Sequence, residues 1–160
     1  MEKILVGADA WGMELKNIIK EHLEKKGYEI IDIGTYNSEN PIDYYSIAET
    51  AATKIQNNEV EKAILFCGTG MGVAIVANKF KGVYASVIES EFTAKMCKAI
   101  NNANVITMGG MIISPHRAKL AVDNWLETSH TEGFESELAE FLKNSLKEIT
   151  KIEEKQFKAI

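Results

Sequence analysis

The chain has 160 residues, of which 46% are hydrophobic and 26% charged, with only two prolines, so we expect one globular domain over residues 1–160. The net charge is −5 and the basic residues are scattered, which argues against a nucleic-acid or membrane-surface partner. No apolar run reaches the ~18 residues of a membrane span, and the first residues lack a signal-peptide pattern. We therefore expect a cytoplasmic protein.

Apolar runs and amphipathic segments alternate along the chain. Predicted strands cover residues 3–9, 28–34, 62–68, 83–88 and 104–110. Predicted helices cover residues 13–27, 43–59, 71–80, 90–100, 114–126 and about 134–156. Gly27 marks one helix end, Ser90 an N-cap, and Ser114 with Pro115 another helix start.

Short strands without polar alternation, each followed by a helix, predict an α/β fold with a five-stranded parallel sheet covered on both faces. Ligands of such folds bind beyond the carboxyl ends of the strands. Asp9, Cys67 and the segment 109–117 follow the first, third and fifth strands. The long C-terminal helix exceeds what one domain of this size needs, so we expect part of it to pack on a neighbouring subunit.

The cysteines and histidines indicate neither a disulfide framework nor a metal site. Cys67 and Cys97 are expected to be free thiols, and no spacing of His or Cys typical of metal ligands occurs. Their places on separate elements, without a CxxC motif, also disfavour a redox function.

The glycine-rich stretch after Cys67 is the clearest chemical feature. Glycines at 68, 70 and 72 give G-x-G-x-G, which is neither a dinucleotide fingerprint nor a P-loop. Backbone N–H groups near the start of the third helix suit an oxyanion or enolate. Cys67 there is either a base or nucleophile with thiolate character, or a small apolar residue that ends a buried strand.

Asp9 follows the first strand as Cys67 follows the third. If these strands are neighbours, a carboxylate, a thiol and an oxyanion cradle meet at one edge, which suits proton transfer beside a carbonyl. The structural alternative for Asp9 is an N-cap of the first helix.

Several motifs together resemble the family of ribose-5-phosphate isomerase B and the galactose-6-phosphate isomerase subunits. They are VGAD with G-x-x-L-K, GYEIIDIGTY, DYYSIA, FCGTGMGVAIVANKFKGV and NNANVITMGG, in order through about residue 126. The resemblance implies a Rossmann-like three-layer sandwich, dimers or tetramers with active sites shared between two chains, and aldose–ketose isomerisation through an enediolate.

Site residues follow from this resemblance position by position. Cys67 resembles the base that moves the proton between two sugar carbons. The loop that holds the enediolate oxygens corresponds to Gly68, Thr69, Gly70 and Gly72. Asp9, Asp43 and Tyr44 correspond to the family's substrate-pocket positions. Asn101 and Asn104 correspond to the asparagines that the neighbouring chain supplies in the family.

The chain departs from the family where the ring-opening and phosphate-binding residues are expected. Ala10 and Ile100 stand where the family has histidines. Family arginines are replaced by Met111, Phe134, Leu138 and Tyr84, and Arg117 is the chain's single arginine. Either the substrate lacks the usual phosphate, or another group holds it, or a different polypeptide supplies the missing residues.

Two places in the sequence offer replacements for the missing histidines and arginines. Ser114, His116 and Arg117 lie in the first turn of a helix and form either an anion site or an ordinary cap with a solvated turn. Trp11 either stacks on a sugar face or closes the space left by the missing histidine.

We therefore expect an aldose–ketose isomerase of a small sugar or sugar phosphate, without metal or organic cofactor. Cys67 is the expected carbon base and Asp9 the expected proton-handling or hydroxyl-binding group. An open-chain substrate such as a tetrulose derivative needs no ring-opening histidine. The alternatives are a non-catalytic or half-catalytic subunit of a hetero-oligomeric isomerase and a sugar-binding protein.

Overall fold

The computed structural model describes residues 2–158, in which one parallel sheet forms the centre of the fold. Its strands are β1 (Lys3–Ala8), β2 (Glu29–Asp32), β3 (Lys62–Cys67), β4 (Ala85–Val87) and β5 (Val105–Gly109). Their spatial order is β2-β1-β3-β5-β4. The predicted five-stranded parallel sheet is confirmed, and β4 is shorter than the predicted strand.

Helices connect the strands and follow the last one. They are α1 (Met13–Lys25), α2 (Tyr44–Gln56), α3 (Met71–Ala77), α4 (Glu91–Asn101), α5 (Pro115–Glu127) and α6 (Ser136–Phe157). Ser90 caps α4 by accepting from the Thr93 N–H, and Ser114 caps α5 with Pro115 at its first turn. These helix starts match the capping residues seen in the sequence.

Two apolar clusters, one on each face of the sheet, make the fold a three-layer sandwich. On one face, α1, α4 and α5 pack on alternate residues of the strands, including Ile4, Phe66 and Met108. On the other face, α2 and α3 pack on Leu5, Leu65 and Cys67. Because neighbouring strand residues point to opposite faces of the sheet, the side chain of Cys67 at the end of β3 faces α2 and α3.

The C-terminal helix α6 is weakly covered by the rest of the chain. Leu142 is its one buried residue among those described. Large apolar side chains of α6 remain exposed, namely Leu138, Phe141, Ile149, Ile152 and Phe157. The predicted packing of this helix on a neighbouring subunit remains a prediction.

A buried charged pair joins α1 to the end of β2. The Lys16 side chain is completely buried and its Nζ donates to both carboxylate oxygens of Asp32, at 2.8 and 2.9 Å. Lys20 donates to the same carboxylate at 3.2 Å, and Asp32 also accepts from the Gly34 N–H at 2.9 Å. Burial opposes the charge of Asp32, but the bonds from Lys16 and Gly34 outweigh it and lower the pKa of this carboxyl.

Among residues 2–158, no helix is both long enough and apolar enough to cross a bilayer.

Candidate active site

Three loops meet at the carboxyl edge of the sheet, because β1, β3 and β5 are neighbours there. The Asp9 N–H donates to the Phe66 carbonyl at 3.2 Å. On the other side, the Gly110 N–H donates to the Cys67 carbonyl at 2.9 Å. The strands β1 and β3 are therefore neighbours as the sequence analysis required, and Asp9, which follows β1, lies at the same edge as Cys67, which ends β3.

Glycines allow these loops to touch backbone to backbone. A Cβ on Gly12 would lie 2.8 Å from the Cys67 nitrogen, and a Cβ on Gly109 would lie 2.6 Å from the Thr69 carbonyl carbon. Gly70 has φ +79°, and a Cβ there would lie 2.9 Å from the Met108 carbonyl carbon. Side chains at these positions cannot be accommodated without moving the loop that follows Cys67.

Cys67 is held inside this loop with its sulfur as an acceptor. Its side chain is buried, and the Gly70 N–H donates to Sγ at 3.1 Å. This bond holds the sulfur in place at the start of the glycine loop. The Gly70 N–H is therefore directed at the sulfur rather than out toward a ligand oxygen.

Other amides of the loop remain for a ligand. Thr69 Oγ1 accepts from the Met71 N–H at 3.3 Å, so that amide is also used within the loop. In the described part of the chain, the N–H groups of Gly68 and Thr69 donate to no protein acceptor. These two amides directly follow Cys67 and are available for an oxygen beside it.

The Asp9 side chain organises the loop between β1 and α1. Its Oδ1 accepts from the N–H groups of Trp11 and Gly12, both at 2.9 Å. Gly12, not Asp9, is the N-cap residue of α1, so the alternative interpretation of Asp9 as the cap is wrong. Burial raises the pKa of Asp9, the two N–H bonds oppose this, and the charge of Asp43 adds to the increase.

Residues at the start of α2 complete one side of the site. Asp43 precedes α2, and its Oδ2 accepts from the Tyr45 hydroxyl at 2.7 Å. The Tyr44 ring covers Gly72: a Cβ on that glycine would lie 2.8 Å from Tyr44 Cε2. Sequence reasoning named Asp43 and Tyr44 but missed Tyr45, although it follows them directly in the DYY stretch.

Trp11 and Met111 lie at the other end of the glycine loop. A Cβ on Gly68 would lie 3.2 Å from the Met111 sulfur and 3.6 Å from the Trp11 Cβ. Both side chains are exposed. Met111, which stands where the family has an arginine, is thus part of the apolar border of the site.

The asparagines lie far from Cys67 within one chain. Asn101 ends α4 at the opposite, amino-terminal edge of the sheet, shortly before β5 begins. Asn104 is used locally, since its side chain accepts from the Tyr84 N–H and donates to the Gly82 carbonyl, both at 2.8 Å. One chain alone therefore does not bring these residues to the site.

The first turn of α5 has the structure of a cap. Ser114 Oγ accepts from the Arg117 N–H at 3.4 Å. The guanidinium of Arg117 forms two bonds to Glu91, with Nε at 3.3 Å and its terminal nitrogen at 3.1 Å, while His116 is exposed. The structure thus shows the cap and an exposed ion pair at Arg117, and an anion site at Arg117 and His116 stays a prediction.

Comparison with known proteins places the chain in a family. The family model described as Ribose/Galactose Isomerase matches residues 4–148. The 4-deoxy-4-sulfo-D-erythrose isomerase of Clostridium sp. (strain MSTE9) is 48% identical over 152 residues, which cover 95% of this chain and 96% of that protein.

Two solved structures have the same fold along nearly their whole length. Ribose-5-phosphate isomerase B from Clostridium thermocellum superimposes with a TM-score of 0.87 at 33% identity, covering 96% of this chain and 99% of the other. The Mycoplasma genitalium ribose-5-phosphate isomerase B with bound ribulose-5-phosphate gives a TM-score of 0.85 at 31% identity, covering 95% and 96%. The chain therefore belongs to the ribose/galactose isomerase family and is an aldose–ketose isomerase.

Proposed function

We propose that the chain interconverts the aldose and ketose forms of a four-carbon sugar whose terminal carbon carries a sulfonate. One structural observation carries this choice of substrate: the chain's single arginine is paired with Glu91. The relative that is 48% identical and is named for 4-deoxy-4-sulfo-D-erythrose supports the same choice.

The anionic group distinguishes a sulfonated sugar from a sugar phosphate. A phosphate monoester carries about −1.5 to −2 charges at neutral pH, and arginine forks suit it through paired bonds. A sulfonate carries a single negative charge, so it requires less compensation in a chain whose own net charge is −5. A chain with a single arginine, which already contacts a carboxylate, offers few guanidinium partners, and this disfavours a phosphate more than a sulfonate.

A sulfonated four-carbon sugar remains an open chain. A four-carbon sugar with sulfonate in place of its C4 hydroxyl has no hydroxyl that can close a five-membered ring. No ring-opening acid or base is then required, which agrees with Ala10 and Ile100 at the positions where family histidines were expected.

The chemistry is a proton transfer between neighbouring carbons. The Cys67 thiolate removes the proton from the carbon beside the carbonyl, and the electron pair moves to give an enediolate. The N–H groups of Gly68 and Thr69 are placed to stabilise its oxygen. The same thiol returns the proton to the other carbon, while Asp9 carries the proton exchanged between the two oxygens; no atoms or electrons are gained or lost.

The working unit in this proposal is a homo-oligomer, a dimer or tetramer, that acts in the cytoplasm without a cofactor. The exposed apolar residues of α6 support association with a second copy, because such residues favour burial. The position of Asn101 supports a shared site, since only a second chain can bring it to Cys67.

Proton NMR in D₂O tests the substrate. The purified chain is incubated with 4-deoxy-4-sulfo-D-erythrulose, D-erythrulose 4-phosphate or D-ribose 5-phosphate, with Cys67→Ala as the matched control. We expect isomerisation and carbon-bound proton exchange with the sulfonate, lost in the variant. Preference for either phosphate would overturn the choice of sulfonate, and full activity of Cys67→Ala would overturn the mechanism.

Subunit complementation tests the shared site. Cys67→Ala and Asn101→Ala are purified separately, mixed under conditions that allow subunit exchange, and assayed. If each site uses Cys67 of one chain and Asn101 of the other, the mixture regains activity that neither variant has alone. A mixture no more active than its components contradicts a shared site.

A further inference from the structure

We propose that Trp11 limits the length of the sugar chain that the site accepts. This inference rests on the proposed function, because it concerns the selectivity of the same site. The Trp11 backbone is fixed on several sides, yet the residue is 71% exposed to solvent.

The backbone of Trp11 cannot move independently of the site. Its N–H is bound to Asp9 Oδ1 at 2.9 Å, and its carbonyl oxygen lies where a side chain on Gly110 would overlap it. The next residue, Gly12, packs against the backbone between Phe66 and Cys67. The Trp11 side chain therefore starts from a point fixed relative to Cys67.

The two aromatic residues beside the glycine loop lie at its opposite ends. A Cβ on Gly68, the residue directly after Cys67, would lie 3.6 Å from the Trp11 Cβ, and Tyr44 covers Gly72. Between them the loop has no side chain larger than that of Thr69, apart from Met71, which is itself exposed. A substrate that reaches Cys67 therefore lies on a bare loop between two bulky rings.

Trp11 also borders a small cavity. The cavity has a volume of about 180 Å³, and its lining includes Trp11, Glu14, Gly110, Ile113 and Pro115. Trp11 is thus shared between this cavity and the surroundings of Gly68. In this proposal a smaller residue at position 11 enlarges the cavity toward Gly68 and makes room for a longer substrate.

Two open-chain ketoses that differ by one carbon provide the test. They are 4-deoxy-4-sulfo-D-erythrulose and 5-deoxy-5-sulfo-D-ribulose, and neither ketose can close a ring because the terminal hydroxyl is replaced. Both are assayed in the ketose-to-aldose direction with the wild type, Trp11→Ala, Trp11→Phe and Phe92→Ala. Phe92 is a matched control, since it is 69% exposed and lies on α4 rather than on the loops after β1, β3 and β5.

We expect the wild type to favour the four-carbon ketose in kcat/KM. Trp11→Ala should shift the ratio toward the five-carbon ketose by roughly tenfold or more, the usual effect of one methylene in a fitted pocket. Trp11→Phe should retain most of the selectivity, and Phe92→Ala all of it. A folded Trp11→Ala protein with an unchanged ratio overturns the inference, as does a wild type without a preference.

The same assay separates this inference from the proposed function. A wild type that converts the four-carbon sulfonate while Trp11→Ala keeps its ratio refutes only the role of Trp11. A wild type that converts neither ketose refutes both. If Trp11→Ala does not fold, Trp11→Leu replaces it with the same expected shift, and an unchanged ratio in folded Trp11→Leu overturns the role.

Discussion

Replacing Lys16 by methionine removes the buried cation that neutralises Asp32. Methionine preserves much of the length and apolar volume of the lysine stem, so the main loss is the ammonium group and its bonds at 2.8 and 2.9 Å. Asp32 then keeps the Gly34 N–H and the more distant Lys20. The carboxylate is left partly buried with weaker compensation.

Removing one partner of a buried pair costs roughly 3–5 kcal/mol, and the remaining partners of Asp32 put the expected loss at about 3 kcal/mol. For a chain of this size that loss corresponds to a decrease in Tm of roughly 6–12 °C. Lys20→Met is the matched control, since its ammonium is partly exposed and forms one bond at 3.2 Å. It should lose less than about 1 kcal/mol.

Thermal and urea unfolding at pH 7 and pH 3, followed by circular dichroism, measure the effect. Because the pKa of Asp32 lies below its ordinary value of 3.8 in the fold, its stabilising contribution is complete at neutral pH and is lost as pH falls through that lower pKa. The difference between wild type and Lys16→Met should therefore shrink at pH 3. Equal losses for the Lys16 and Lys20 variants at pH 7 would refute the reasoning.

Three further substitutions test the site. Gly70→Ala, at φ +79°, should cost roughly 1–3 kcal/mol in urea unfolding and abolish most turnover because it moves the N–H bound to Cys67; wild-type kcat would contradict this. Asp9→Asn should lower kcat by about 10²-fold or more while keeping or raising Tm at pH 7. Burial raises the pKa of Asp9 in the fold, so the ionised carboxylate destabilises the folded state as pH rises through that pKa. Any gain in Tm from Asp9→Asn should therefore vanish below pH 3.8, and a lower Tm of the variant at pH 7 would contradict the prediction. Arg117→Gln breaks an exposed pair and should leave Tm unchanged and KM within about twofold, whereas a large rise in KM would place Arg117 at the substrate's anion.

Elements determined by local signals could be predicted from the sequence. The N-caps at Ser90 and Ser114, the end of α1 near Gly27 and the order of strands and helices depend on neighbouring residues, and the structure shows each of them. The juxtaposition of Asp9 and Cys67 required one additional assumption, that their strands are neighbours. The parallel pairing of β1 with β3 confirms it.

Contacts between distant parts of the chain could not be predicted in this way. The helical pattern of α1 gave no sign that a lysine at position 16 is buried, because its partner Asp32 lies on another element. In the same way, the first turn of α5 was consistent with both an anion site and a cap. Nothing in the sequence indicated the ion pair there, because Glu91 lies 26 residues from Arg117 along the chain.

The contact between loops through Gly12, Gly70 and Gly109 has a consequence for how such enzymes diversify. Any side chain introduced at these points displaces the backbone beside Cys67, so the proton-transfer centre tolerates almost no variation. The bordering residues Trp11 and Met111 are exposed and make no comparable demand on the backbone. Substrate preference can therefore change through substitutions at the border while the reaction itself is inherited unaltered.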